Sequence, residues 1–120
     1  MTGEGGIPQV PEIDVESAWK EATAGRSYIL DVREPEELEE ISLAGAIHIP
    51  LGSLPAEQTE LPRDREILVI CRTGVRSAYA TQFLLNSGFV EVRNIQGGVV
   101  AWAEARLPYA SFGQSFNEEG

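Results

Sequence analysis

At 120 residues, 42% hydrophobic and 23% charged, the chain suits one domain with a core of its own. A net charge of −10 repels nucleic acid and anionic membranes, and any anion site must supply its own positive field. One cysteine excludes an intramolecular disulfide, and no Cys/His cluster stands at metal-ligand spacing. Residues 1–8 are Gly-rich and polar and read as a flexible lead-in to a domain over 9–109. An extended stretch over 11–14 leads into a helix over 15–24, with Asp14 as its N-cap and Gly25 as its stop. The apolar run 28–32 reads as a buried strand. Pro35, among Glu34, Glu36 and Glu37, starts a short helix that ends before Gly45. A strand over 46–49 stops at Pro50, and 51–61 is a connection with one helical turn. Residues 67–70 have the unbroken apolar character of a strand in the middle of a parallel sheet. A loop over 71–77 leads into a helix over 77–86 whose apolar face holds Ala78, Phe83, Leu84 and Leu85. A strand over 90–95, the turn Gly97-Gly98, a helix over 99–106 closed by Pro108, and a polar tail over 110–120 complete the chain. Strands alternating with helices predict an α/β fold, a parallel sheet with helices on both faces.

The informative stretch is Cys71-Arg72-Thr73-Gly74-Val75-Arg76-Ser77. A short loop here must curl over a helix N-terminus, which offers unpaired N–H groups and partial positive charge. Gly74 permits the backbone conformations that turn successive N–H groups inward as an anion nest. Arg72 and Arg76 add two cations, and ligands of open α/β sheets collect at the carboxyl ends of strands, where Cys71 sits. All of this favours thiolate over thiol and makes Cys71 a candidate nucleophile. A strand-end cysteine is ordinarily packing alone; arginines at +1 and +5 are what turn the reading toward chemistry.

Other residues read more blandly. Asp31 and Arg33 are candidates for a pocket rim, but a structural ion pair, with Glu37 as a partner for Arg33, explains them better. His48, between two isoleucines, has a structural or surface role. Trp102 lines the pocket mouth or anchors its helix, Trp19 packs, and Gly97 and Gly98 serve the backbone at a helix entrance. The acids from Glu34 to Glu40 form a solvated face.

Four motifs, in order, resemble the single-domain rhodanese family. Asp31-Val32-Arg33 is similar to its D-V-R, and Gly45-Ala46-Ile47-His48-Ile49-Pro50 to its G-A-x-x-I-P. The loop from Cys71 to Ser77 is similar to its C-x-x-G-x-R-S, and Asn94-Ile95-Gln96-Gly97-Gly98-Val99-Val100-Ala101-Trp102 to its G-G-x-x-x-W segment. The resemblance spans about 12–107 and implies the rhodanese-like fold, with a five-stranded parallel sheet. It also implies sulfur transfer through a persulfide on Cys71, with Arg72, Thr73, Gly74, Val75, Arg76 and Ser77 binding the substrate. A small donor such as thiosulfate would load the cysteine. A thiol, cyanide or a sulfur-relay protein would accept the sulfur, with no metal or organic cofactor and no nucleic-acid or membrane partner.

Two other readings compete. One is a sulfur-carrier module with little small-molecule turnover. The other is a cysteine phosphatase or arsenate reductase, disfavoured because only four residues separate Cys71 from Arg76, one fewer than phosphatases carry. Ser42 stands where family members often have His. No apolar leader follows Met1 and no run is long enough to span a membrane, so a cytoplasmic location is expected.

Overall fold

A computed structural model describes residues 6–111. At its centre is β4 (Glu66–Ile70). Side chains alternate across a strand, so Ile67 and Val69 enter one apolar cluster while Leu68 and Ile70 enter another on the opposite face. A strand buried on both sides needs helices on both sides, which is why its apolar run is unbroken. On one flank β4 pairs with β2 (Ser27–Asp31), in register from Ser27–Glu66 to Asp31–Ile70. On the other flank it pairs with β5 (Val92–Ile95). Short outer strands, β1 (Glu12–Ile13) beside β5 and β3 (Ile47–His48) beside β2, complete a five-stranded sheet of order β1-β5-β4-β2-β3. Every pairing is parallel.

Helices α1 (Val15–Thr23) and α4 (Gly98–Glu104) cover one face, burying Ala18, Val99 and Trp102 against Ile29, Leu68, Ile70 and Ile95. Asp14 starts α1 as expected, its Oδ1 accepting from the Ser17 amide at 2.8 Å. The opposite face is covered by α3 (Val75–Asn86) and the short α2 (Leu54–Glu57). No described helix is long and apolar enough to cross a membrane.

Several boundaries differ from the sequence reading. Helix α3 begins at Val75 rather than near 77, because Gly74 adopts φ 107° and serves as an N-cap without a side chain. Arg76 and Ser77 therefore lie in the first helical turn and not in a loop. The Pro35 segment is a 3₁₀ helix, Pro35–Glu39, opened by a reciprocal capping box between Glu34 and Glu37. The strand expected over 90–95 starts at Val92; Val90 is 86% exposed and outside the sheet. Residues 1–5 of the expected lead-in and 112–120 of the expected tail lie outside the described residues. Ala110, at the start of that tail, makes an antiparallel bridge to Ser42, with reciprocal amide–carbonyl bonds of 2.8 Å.

Candidate active site

Cys71 is the first residue past β4, at the carboxyl edge of the sheet, and is only 1% exposed. Its Sγ accepts hydrogen bonds from the Gly74 amide at 3.1 Å and the Ser77 amide at 3.3 Å, and lies 3.2 Å from Ser77 Oγ. The loop amides turn inward because its carbonyls turn outward onto α4. The Val99 amide donates to the Cys71 carbonyl at 2.9 Å, and the Val100 amide to the Arg72 carbonyl at 3.1 Å. That docking requires Gly98, since a Cβ there would run into the Cys71 and Arg72 carbonyls. Gly74 is less tightly confined, with the Gly97 nitrogen 3.3 Å from where its Cβ would be. The amides of Thr73, Val75 and Arg76 take no backbone acceptor among the described residues, and no side chain caps α3. A sulfur atom thus sits at the base of a cradle with donors to spare.

The two loop arginines differ. Arg76 forms a bidentate pair with Glu37 at 2.8 and 2.9 Å, tying α3 to the Pro35 turn. Hydrogen bonds from Arg76 hold the Glu37 carboxyl down at about 2, and Glu37 in turn raises Arg76 above its ordinary value. Glu37 also accepts from the Glu34 amide at 2.9 Å. Arg76 is therefore a neutralised brace rather than a free cation, whereas Arg72 is exposed and forms no ion pair among the described residues.

Asp31 and Arg33 form a buried pair, 1% and 2% exposed, with Nη2 to Oδ2 at 2.8 Å. The partner expected for Arg33 was Glu37; the Asp31 carboxylate takes that place, and Glu37 contributes only its backbone carbonyl. A second carbonyl, of Ile41, accepts at 2.7 Å. This burial sets the pair apart from any open rim and makes it an anchor at the end of β2. His48 is structural too, its Nε2–H donating to the Arg33 carbonyl at 2.7 Å. Trp102, 2% exposed, packs in the core of the α1/α4 face and donates from Nε1 to the Pro108 carbonyl at 2.9 Å.

Asn94 heads the C-terminal motif, but the sequence reading gives it no role. It is 2% exposed on β5, on the face shared with Val92. Its Oδ1 accepts from the Ser77 hydroxyl at 2.5 Å, and its Nδ2 donates to the Gly74 carbonyl at 3.1 Å and to Glu12 at 3.3 Å. The available signal was a lone amide at an inward-facing strand position, which must find partners when buried. Among the described residues no three His, Cys, Asp or Glu gather as a metal site.

The rhodanese-like domain profile matches residues 14–105, most of the chain. The chain belongs to the rhodanese family. A sulfurtransferase of Allochromatium vinosum is 35% identical to this chain over 100 residues, covering 82% of this chain and 94% of that one. The thiosulfate sulfurtransferase GlpE of Vibrio cholerae is 32% identical over 96 residues, 80% of this chain and 91% of its own. A rhodanese-related crystal structure from Thermoplasma volcanium superposes with a TM-score of 0.78 at 34% identity, covering 84% and 98% of the two chains. Cys71 and its cradle occupy one of the four motifs by which the chain resembles that family.

Proposed function

We propose that this member of the rhodanese family is a sulfurtransferase carrying sulfur as a persulfide on Cys71. The observation that supports it best is a buried sulfur facing two amide donors, with three further amides free at the cradle mouth. The Cys71 thiolate attacks the outer sulfur of thiosulfate or of a persulfide donor. A new S–S bond forms, the donor's S–S bond breaks, and sulfite or a thiolate leaves with the electron pair. The terminal sulfur now bears the negative charge, and the amides of residues 72–77 receive it by the same preorganisation that stabilises an oxyanion. A thiol or cyanide then attacks that terminal sulfur and returns Cys71 as thiolate. Displacement at sulfur moves no net electrons, so the chemistry itself calls for no cofactor. Arg72 steers an anionic donor, and Arg76 acts through the loop's shape.

The catalytic unit in this reading is the domain over 9–109, working in a reducing cytoplasm where one thiol stays free. Sulfite release from thiosulfate in the presence of cyanide tests the proposal. The full chain should turn over and Cys71→Ala should not; equal rates would end it. A sulfur-carrier role is favoured by the net charge of −10, which suits a basic protein donor better than a dianion. Persulfide formation much faster from a protein donor than from thiosulfate would select that role, and phosphate-ester hydrolysis without sulfur transfer would select a phosphatase.

A further inference from the structure

Beside the sulfur, the Ser77 hydroxyl donates to the Asn94 amide oxygen. The Asn94 amide is oriented by its nitrogen, which donates to two pure acceptors, the Gly74 carbonyl and the Glu12 carboxylate. The group facing Ser77 is therefore a carbonyl oxygen, which can only accept, and at 2.5 Å it holds the Ser77 hydroxyl proton. With that proton committed, the 3.2 Å contact between Ser77 Oγ and Cys71 Sγ has, in the thiol form, only the S–H left to donate. Ionisation of Cys71 changes the arrangement. Sγ and Asn94 Oδ1 are then both acceptors, and between them stands one hydroxyl that can satisfy only one.

We propose that Asn94 is a positioning residue that governs the Ser77 hydroxyl as a rotor, drawing its proton away while Cys71 is neutral and yielding it to the thiolate. No proton is transferred; the O–H turns about the Cβ–Oγ bond. In the sulfur-transfer reading, on which its use rests, the hydroxyl supports Sγ while it is the attacking anion. It swings back to Asn94 once Sγ has become the inner, uncharged sulfur of the persulfide. Asn94 thereby favours the loaded state over the bare thiolate, because Oδ1 keeps the Ser77 hydroxyl in the loaded state and loses it to the thiolate.

The charged groups around this rotor are Arg72 on the loop, Arg76 with its partner Glu37 and neighbouring Glu34, the Asp31–Arg33 pair at the end of β2, and Glu12 on β1. The substitutions below remove none of these charges; Asn94→Ala takes from Glu12 only the 3.3 Å hydrogen bond of the Asn94 amide. Rates of Cys71 alkylation by iodoacetamide against pH report thiolate formation without any sulfur donor. Asn94→Ala releases the Ser77 proton to the thiolate, and the midpoint moves down by about half to one pH unit. Ser77→Ala moves it up, and adding Asn94→Ala to Ser77→Ala then moves it no further. An unmoved midpoint in Asn94→Ala, or a downward shift that persists without the Ser77 hydroxyl, overturns the proposal. A second measurement needs no change at Asn94: in the parent protein its side-chain amide NMR signals should titrate with the alkylation midpoint, and in Ser77→Ala they should not. Signals that stay fixed in the parent across that midpoint also overturn it. Neither readout depends on sulfur transfer, so failure of the functional proposal would show separately, as no sulfite release with the rotor intact.

Discussion

Gly98 has a positive φ of 62°, and its α-carbon faces the carbonyls of Cys71 and Arg72. A methyl group there meets backbone, which cannot swing aside as a flexible side chain would. Gly98→Ala should therefore destabilise the fold by about 2–4 kcal/mol, from overpacking and left-handed strain together. It should also slow sulfur transfer more than tenfold by tilting the loop off α4. Gly45→Ala is the control: φ is 79° but the space is open, so urea denaturation should show about 1 kcal/mol lost and unchanged transfer. Equal losses in the two variants would mean that Gly98 matters only for its dihedral. Arg33 makes a different claim at this scale. Removing it leaves Asp31 buried without its partner, so Arg33→Met should lower stability at neutral pH by roughly 3–5 kcal/mol in urea denaturation. A loss below about 1 kcal/mol would mean that the pair is dispensable. The candidate nucleophile, Cys71, was legible in the sequence because it stands next to a glycine turn and two arginines. Asn94 was not, because its partners come from Glu12 on β1 and from Gly74 and Ser77 at the start of α3, two segments that only the fold brings to it.

Between elements, the contact that matters most at the site is Glu37 with Arg76, residues that lie 39 positions apart. It fixes the Pro35–Glu39 turn against the first turn of α3. The Glu37 carboxyl is lowered from 4.5 to about 2 in the folded protein, chiefly by the Arg76 hydrogen bonds. A lowered folded value means that the contribution is complete above the unfolded value and is lost as pH falls through the folded one. Stability measured by urea should thus decline between about pH 4.5 and 2 more steeply in the parent than in Glu37→Gln. Parallel acid limbs would contradict the assignment. Both groups remain partly exposed, so salt should weaken the effect. At this scale the strands were the most readable feature, since 67–70 is apolar without interruption and its burial on both faces follows directly. Helix starts were less so. Gly74 caps α3 by its dihedral alone, and no side-chain signature marks such a cap. The Pro35 segment was readable as helical, but the tighter 3₁₀ form has no distinct periodicity over five residues.

For the molecule as a whole, the order β1-β5-β4-β2-β3 brings the C-terminal ends of β4 and β5 together, so that Cys71, its loop and α4 meet at one edge. That meeting point was legible, because parallel α/β sheets gather ligands there. The balance of charge around it was not. The sequence places two arginines on the loop, but the fold pairs one with Glu37 and leaves Arg72 as the local cation in a chain of net charge −10. Long-range repulsion should therefore limit the approach of thiosulfate, and the second-order rate of persulfide formation should rise between low and physiological salt as screening sets in. A neutral persulfide donor should show no such rise. A thiosulfate rate that falls with salt would mean that the local field of Arg72 outweighs the global charge.

Intact-mass measurement of the full chain after exposure to thiosulfate bears most directly on a sulfur held in a cradle of amides. A gain of one sulfur atom, mapped to Cys71 and removed by cyanide, is the predicted result. An unchanged mass with thiosulfate and with protein persulfide donors alike, from a folded protein with a free thiol, would contradict it.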